Sequence, residues 1–221
     1  MMKKKRNDIT ELVFILDRSG SMAGLESDTI GGFNGLVERQ KQQEGRCFVT
    51  TVLFDHESVT LHDRVPLEKL APMTNRDYTV RGCTALLDAV GDTIRHVASI
   101  HRYARPEDVP AHTLFVITTD GMENASRKYT AERIRRMISH EEKKYGWEFL
   151  FLGANIDAVA TAKRYGIRPT NAVDYNADRI GTDIAFRAVS EAVGCVRASA
   201  PLAASWSDSI RKDHSSRKQE R

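Results

Sequence analysis

The segment 112–119, with Leu114-Phe115-Val116-Ile117 at its centre, constrains this chain most. Four apolar residues in a row cannot leave one face of a strand in water, so this strand is expected at the middle of a sheet covered on both sides. Leu12-Val13-Phe14-Ile15-Leu16 is a second run of the same kind. Strands of this type belong to parallel sheets, whose crossovers lay helices on the faces.

The remaining pattern supplies those helices. Ile30, Phe33, Leu36 and Val37 recur at helical spacing and stop before Gly45. Segment 85–99 carries Leu86, Val90, Ile94 and Val97, and segment 130–145 carries Ile134, Met137 and Ile138 against a charged outer face. A short helix over 158–165 ends at Gly166, which suits a C-cap. A last helix is expected over 178–197. Strands are expected over 47–54, 147–152 and 171–175. Asp55-His56-Glu57-Ser58 reads as a hairpin connection into 59–65, which alternates only partly and belongs at a sheet edge. Segment 66–83, with Pro66, Pro72 and Gly82, is irregular and long enough to suggest function. The expected fold class is therefore α/β: a doubly wound, Rossmann-like, mostly parallel sheet with one antiparallel edge strand and helices on both faces.

At 221 residues one substantial core is expected, over 10–197. Residues 1–9 read as a basic extension, and 198–221 as a disordered polar tail in which Ser, Ala, Lys and Arg dominate. Truncation after Arg197 is accordingly expected to leave the thermal midpoint almost unchanged. The net charge of +3 gives no reason to propose a nucleic acid as the main partner. No apolar stretch approaches the roughly 20 residues of a membrane span. Cys47, Cys83 and Cys195 are odd in number and widely spaced, which suggests a reducing cytoplasm. Cys83 is expected to be a buried or inert thiol.

Chemistry concentrates on the loops that follow strands. Asp17-Arg18-Ser19-Gly20-Ser21 follows the first apolar run, Gly82-Cys83-Thr84 precedes the helix from Ala85, and Thr118-Thr119-Asp120-Gly121 closes the central strand. In an open α/β sheet that edge is where ligands bind. Carboxylates and hydroxyls are hard oxygen ligands, suited to Mg²⁺ or Mn²⁺ and not to zinc. Taken singly, Asp17, Ser19 and Ser21 read as a turn and helix cap, Thr84 as an N-cap, and Asp120 as a turn residue. Their conjunction carries the metal reading.

D-x-S-G-S, G-x-T-A-L and T-D-G, in that order, resemble the von Willebrand factor A (VWA) domain family and its metal-ion-dependent adhesion site, over roughly residues 10–197. The resemblance implies that Asp17, Ser19, Ser21, Thr84 and Asp120 form the metal site. The serines and the threonine would bind directly when ligand is present, with the aspartates partly behind water. Mostly neutral ligands would leave the ion electrophilic toward an outside anion. The implied function is a cytoplasmic protein-binding module that docks a Glu or Asp of a partner protein on the ion, and not an enzyme. The alternative is a Mg²⁺-dependent phosphate-handling hydrolase on the Asp17 loop. Such an enzyme would want a second carboxylate where Ser19 stands, and the chain has no G-x-x-x-x-G-K-[ST] loop.

Around this set, Asn155 and Asp157 are expected on the same edge as turn or capping residues. Glu123, Asn124 and Arg81 are expected to be solvated, and His96, His101 and His140 to sit on helix faces. Loop placement further suggests that Asp17→Ala and Asp120→Ala would leave the fold intact.

Overall fold

A computed structural model describes residues 8–218, so the expected N-terminal extension lies, but for its last two residues, outside the described residues. Strands β1 (Thr10–Asp17), β2 (Cys47–Phe54), β3 (Ser58–Pro66), β4 (His112–Asp120), β5 (Glu148–Ala154) and β6 (Ala172–Asp174) form one sheet in the order β3-β2-β1-β4-β5-β6. Every neighbouring pair is parallel except β2 with β3, which lies antiparallel at the edge. The architecture is the expected doubly wound one.

Strand periodicity divides the core. Leu12, Phe14 and Leu16 of β1, with Leu114 and Val116 of β4, face α1 (Glu26–Lys41) and α5 (Arg179–Arg197). Val13 and Ile15, with Phe115 and Ile117, face α2 (Leu86–Tyr103), α3 (Ala131–Tyr145) and α4 (Ala158–Tyr165). All these strand side chains are buried, as two-sided coverage requires. The α3 helix starts at Thr130, whose side chain accepts from the Arg133 N–H, and stops at Gly146 with φ +69°. Gly166, at φ +91°, closes α4 as the sequence suggests.

From β1 the chain winds outward to β2 and β3, then returns to place β4 on the other side of β1. The switch point lies between β1 and β4. Asp17 and Asp120 are the last residues of these two strands.

The expected disordered tail is corrected. Residues Asp208–Lys218 form a helix, α6, against the α5 side of the sheet. Trp206 and Ile210 are buried in the core shared with α1 and α5. The Trp206 indole N–H donates to the Thr170 carbonyl at 2.9 Å, and Arg211 Nη2 donates to the Ala172 carbonyl at 2.9 Å. Arg217 pairs with both Asp178 and Asp213. The segment is polar because only one narrow stripe of it is covered.

Candidate metal centre

Three loops meet at the carboxyl ends of β1 and β4. Asp17 is fully buried and acts as an acceptor for its neighbours. Its Oδ1 takes the Ser19 N–H at 2.7 Å. Its Oδ2 takes the Thr119 hydroxyl at 2.6 Å and the Asp120 N–H at 3.3 Å. The Asp17 carbonyl receives the hydroxyl of buried Tyr78, which anchors segment 66–83 beneath the loop.

The hydroxyls form a chain. Thr84 Oγ1 donates to Ser19 Oγ at 3.0 Å, Ser19 Oγ lies 3.2 Å from Ser21 Oγ, and Ser21 Oγ donates to the Asp120 carbonyl. Gly121, at φ +134°, lies where an added Cβ would stand 3.3 Å from Ser21 Oγ, so a side chain there would crowd the serine. Backbone bonds tie the loops as well. The Gly20 N–H reaches the Gly82 carbonyl at 3.1 Å and the Arg81 N–H reaches the Arg18 carbonyl at 2.9 Å. All five expected residues therefore lie in one cluster. Asp17, Ser19, Thr84 and Asp120 are buried, while Ser21 is exposed.

Glu123 and Cys83 differ from expectation, while Asn124 and Arg81 are exposed as expected but also make side-chain bonds. Glu123 is half-buried, not solvated: its carboxylate takes the Leu87 N–H at 3.0 Å and the Ser126 hydroxyl at 2.8 Å, so it holds the start of α2. Asn124 Oδ1 takes the Thr84 N–H at 2.9 Å. Arg81 is paired with Asp55 at 2.9 Å and Glu57 at 3.1 Å. Cys83 is exposed rather than buried. Asp157 caps α4 as expected, accepting the Ala160 N–H. Asn155, at φ +55°, does more than turn the chain: its Nδ2 donates to Asp120 Oδ1 at 2.5 Å. His101 sits on α2 as expected and, at the far end of β1 from the cluster, lies 2.8 Å from the buried Glu11 carboxylate.

The charge balance is asymmetric. Burial would push the Asp55 carboxyl up, but the Glu57 N–H and the Arg81 and Arg18 guanidinium groups outweigh it and hold the carboxyl below its ordinary value. Asp17 and Asp120 have no such cation among the described residues. Burial raises both, and the Asp17 charge raises Asp120 further. Two buried carboxyls without a cation, beside three hydroxyl oxygens, fit a hard divalent ion. Asp55, His56 and Glu57 also bring ligand-type atoms within 4.8 Å of one another, but the guanidinium groups on Asp55 already supply its positive charge.

The raised carboxyls set a pH dependence. A carboxyl raised in the folded state adds stability that is present in acid and lost as pH rises through the raised value. The metal-free protein is thus expected to gain stability on this account as pH falls from neutral. A divalent ion held by these carboxyls would compete with the same protons, so any rise in thermal midpoint on adding Mg²⁺ should shrink over that fall. Glu141, Glu142 and Glu148 are also raised by burial but lie elsewhere. The difference between melts with and without Mg²⁺, taken from about pH 8 to 4, isolates the cluster. A Mg²⁺ shift that stays constant over this range would exclude Asp17 and Asp120 as ligands.

No protein-family model matches the chain, and no curated protein matches it. Solved structures do match. The vWF domain of the type V pili tip protein Mfa5 from Porphyromonas gingivalis is 11% identical, with a TM-score of 0.61 over 85% of this chain and 95% of that one. Proximal thread matrix protein 1 from the mussel byssus, in a structure with a zinc-occupied MIDAS motif, is 13% identical, with a TM-score of 0.54 over 84% of this chain and 46% of that one. The ArnB paralog VWA2 from Sulfolobus acidocaldarius is 16% identical, with a TM-score of 0.53 over 84% of this chain and 45% of that one. The chain spans less than half the length of the mussel and Sulfolobus chains it matches. At such identities the likeness is one of fold: the sheet and helices are arranged as in VWA domains.

Proposed function

We propose that this chain is a divalent-metal-dependent protein-binding module. In this reading Asp17, Ser19, Ser21, Thr84 and Asp120 hold Mg²⁺ or Mn²⁺, and a partner protein presents a Glu or Asp carboxylate to the ion. One observation carries the proposal. Three loops at the switch point converge on a cluster of carboxyl and hydroxyl oxygens that has no cation of its own among the described residues, whereas Asp55 nearby has two. Bound there, the ion would supply an electrophile to which an outside carboxylate is drawn. Without it, the same carboxylate would meet Asp17 and Asp120 and be repelled. The zinc-occupied motif of the mussel protein supports a metal at this place in the fold, and leaves the identity of the metal as part of the proposal. No helix among the described residues is long and apolar enough to cross a membrane. Three free cysteines, one of them exposed, suit the cytoplasm we propose as its compartment.

The hydrolase alternative gains no support from the cluster. The Ser21 hydroxyl meets the Ser19 hydroxyl and a carbonyl. The Ser19 hydroxyl reaches the Asp17 carboxylate, but that carboxylate already accepts from the Ser19 N–H, the Thr119 hydroxyl and the Asp120 N–H. A general base must be free to take the proton of its nucleophile.

The test is capture of partners by the immobilised full chain, with and without chelator. Capture is expected with Mg²⁺ and lost in its absence. Thr84→Ala should reduce capture by roughly tenfold, the worth of one good ligand or hydrogen bond, while reducing Mg²⁺ affinity less. Its main-chain bonds to Asn124 and Ala125 do not need the hydroxyl, so the loop is expected to hold its shape. Capture that survives both chelator and Thr84→Ala would overturn the proposal. Phosphatase turnover that disappears in Asp17→Asn would favour the hydrolase.

A further inference from the structure

Away from the switch point, α2 and α3 lie side by side and leave a groove of about 590 Å³. Arg95 and Arg102 stand along one wall, two helical turns apart on α2. Arg133, Arg136 and His140 stand along the other, at positions i, i+3 and i+7 of α3. Helical spacing puts each set on a single face. All five side chains are exposed.

Little offsets this charge. Arg95 lies 3.4 Å from the Tyr129 hydroxyl and is offset in part by Asp92, which accepts from that hydroxyl, while Arg133 stacks on the Tyr129 ring at 4.7 Å, which is no anion. Among the described residues Arg136 pairs with the exposed Glu132 alone, at 3.8 Å. Arg102 has no hydrogen bond or ion pair among the described residues. The one carboxyl in the lining is Glu141, which is buried and has an Oε2 with no hydrogen-bond partner. Burial raises its carboxyl above the ordinary value and the neighbouring His140 and Arg102 oppose that; ionised, it is still a single charge facing four arginines. Two facing rows of like charge repel one another unless an anion lies between them.

The floor differs from the walls. Ile94 is buried there, while Ala98 and Met137 are half-covered. A phosphate backbone would use the walls and leave this floor unused. A peptide with apolar residues on one side and carboxylates on its flanks would use both. Guanidinium forks match carboxylates in two-point geometry, and a methionine adapts its shape to an apolar anchor. A groove between two helices is also a common seat for an amphipathic helix, read through anchors at i, i+3 and i+7.

We propose that the α2–α3 groove is a second docking surface, independent of metal, for an acidic amphipathic segment of a partner protein. It goes beyond the metal site and does not depend on it. The probe is a fluorescent synthetic peptide of about 15 residues, long enough for four helical turns, with leucines on one face and glutamates on the flanks. Binding to the full chain is followed by fluorescence anisotropy in the presence of chelator, which silences the metal site.

The peptide is expected to bind, and more weakly as salt rises. A scrambled peptide of the same composition should bind at least about tenfold more weakly, because its leucines no longer share one face. Arg102→Glu with Arg136→Glu should weaken the intact peptide by more than about tenfold, since like charges then face its glutamates. The thermal midpoint should hold, because both side chains are exposed. If that pair of reversals disturbs folding, Arg102→Gln with Arg136→Gln reads the same loss in milder form. Equal binding of scrambled and intact peptides, or tighter binding of a DNA duplex than of the peptide, would overturn the proposal. So would failure of the peptide to bind.

Discussion

Removal of residues 198–221 is expected to lower the thermal midpoint by roughly 5–10 °C, at a few degrees per kcal/mol for a chain of this size. The loss comes from a small number of side chains. Trp206 and Ile210 are buried in the larger core, and Leu202 packs against it. Covering each fully is worth about 1.5–3 kcal/mol, partly offset by the cost of ordering the segment. Arg217 adds ties to Asp178 and Asp213, and Asn176 donates to Asp213 at 2.9 Å. Trp206→Ala and Ile210→Ala should each move the midpoint part of the way. Scanning fluorimetry on the shortened chain decides the matter. A midpoint within about a degree of the parent would mean that α6 contributes nothing to stability, as the sequence alone suggests.

The second large effect is at the cluster. On the proposed reading, Asp17→Asn is expected to reduce Mg²⁺ affinity by more than about tenfold, because the ion would lose a full negative charge beside a buried carboxyl. The amide keeps an oxygen for the Ser19 N–H, the Thr119 hydroxyl can turn to accept from its nitrogen, the long bond from the Asp120 N–H is lost, and the Ser19 hydroxyl keeps its Thr84 and Ser21 neighbours. Burial opposes the charge on Asp17, so the neutral variant is expected to fold at least as stably as the metal-free parent at neutral pH. Asp17→Ala is different. It leaves buried donors unpaired at a cost of about 1–3 kcal/mol each, which corrects the expectation that this change spares the fold. Calorimetry with Mg²⁺, alongside melts of parent and both variants, separates the two effects. Equal Mg²⁺ affinity in parent and Asp17→Asn would place the ion elsewhere.

The sheet was legible in the sequence where strands are covered on both faces. Leu114 to Ile117 leave no solvent face, and their position at the centre follows from that alone. The loop motifs were legible because each lies directly after a strand or before a helix. What escaped depends on residues far apart in the chain. Glu11 lies within β1, where the apolar run begins only at Leu12, and it is accommodated by Arg64 and His101 from β3 and α2. Nothing near Arg18 in sequence announces Asp55 as its partner. Glu123 and Asn124 read as solvated because their acceptors serve the backbone of α2 and of the Thr84 loop, which no local pattern reveals. Trp206 and Ile210 form too sparse a stripe to register as a helix face until the sheet supplies a surface for them.

The two ends of the sheet carry a further consequence. At β6, Arg211 donates to the Ala172 carbonyl, and in the turn just before the strand Trp206 donates to the Thr170 carbonyl, covering acceptors that would otherwise be open to another chain. At β3, the pairing with β2 shifts register near Thr51, and Arg64 turns to φ +48°. Exposed edges invite strand-by-strand growth between molecules, and a covering helix or a bulge suppresses it. With one margin capped and the other bent, backbone pairing is a poor route to self-association for this protein. Neither the Asp17–Asp120 cluster nor the cationic groove lies on these margins, so at high local concentration both can remain free while the sheets stay apart.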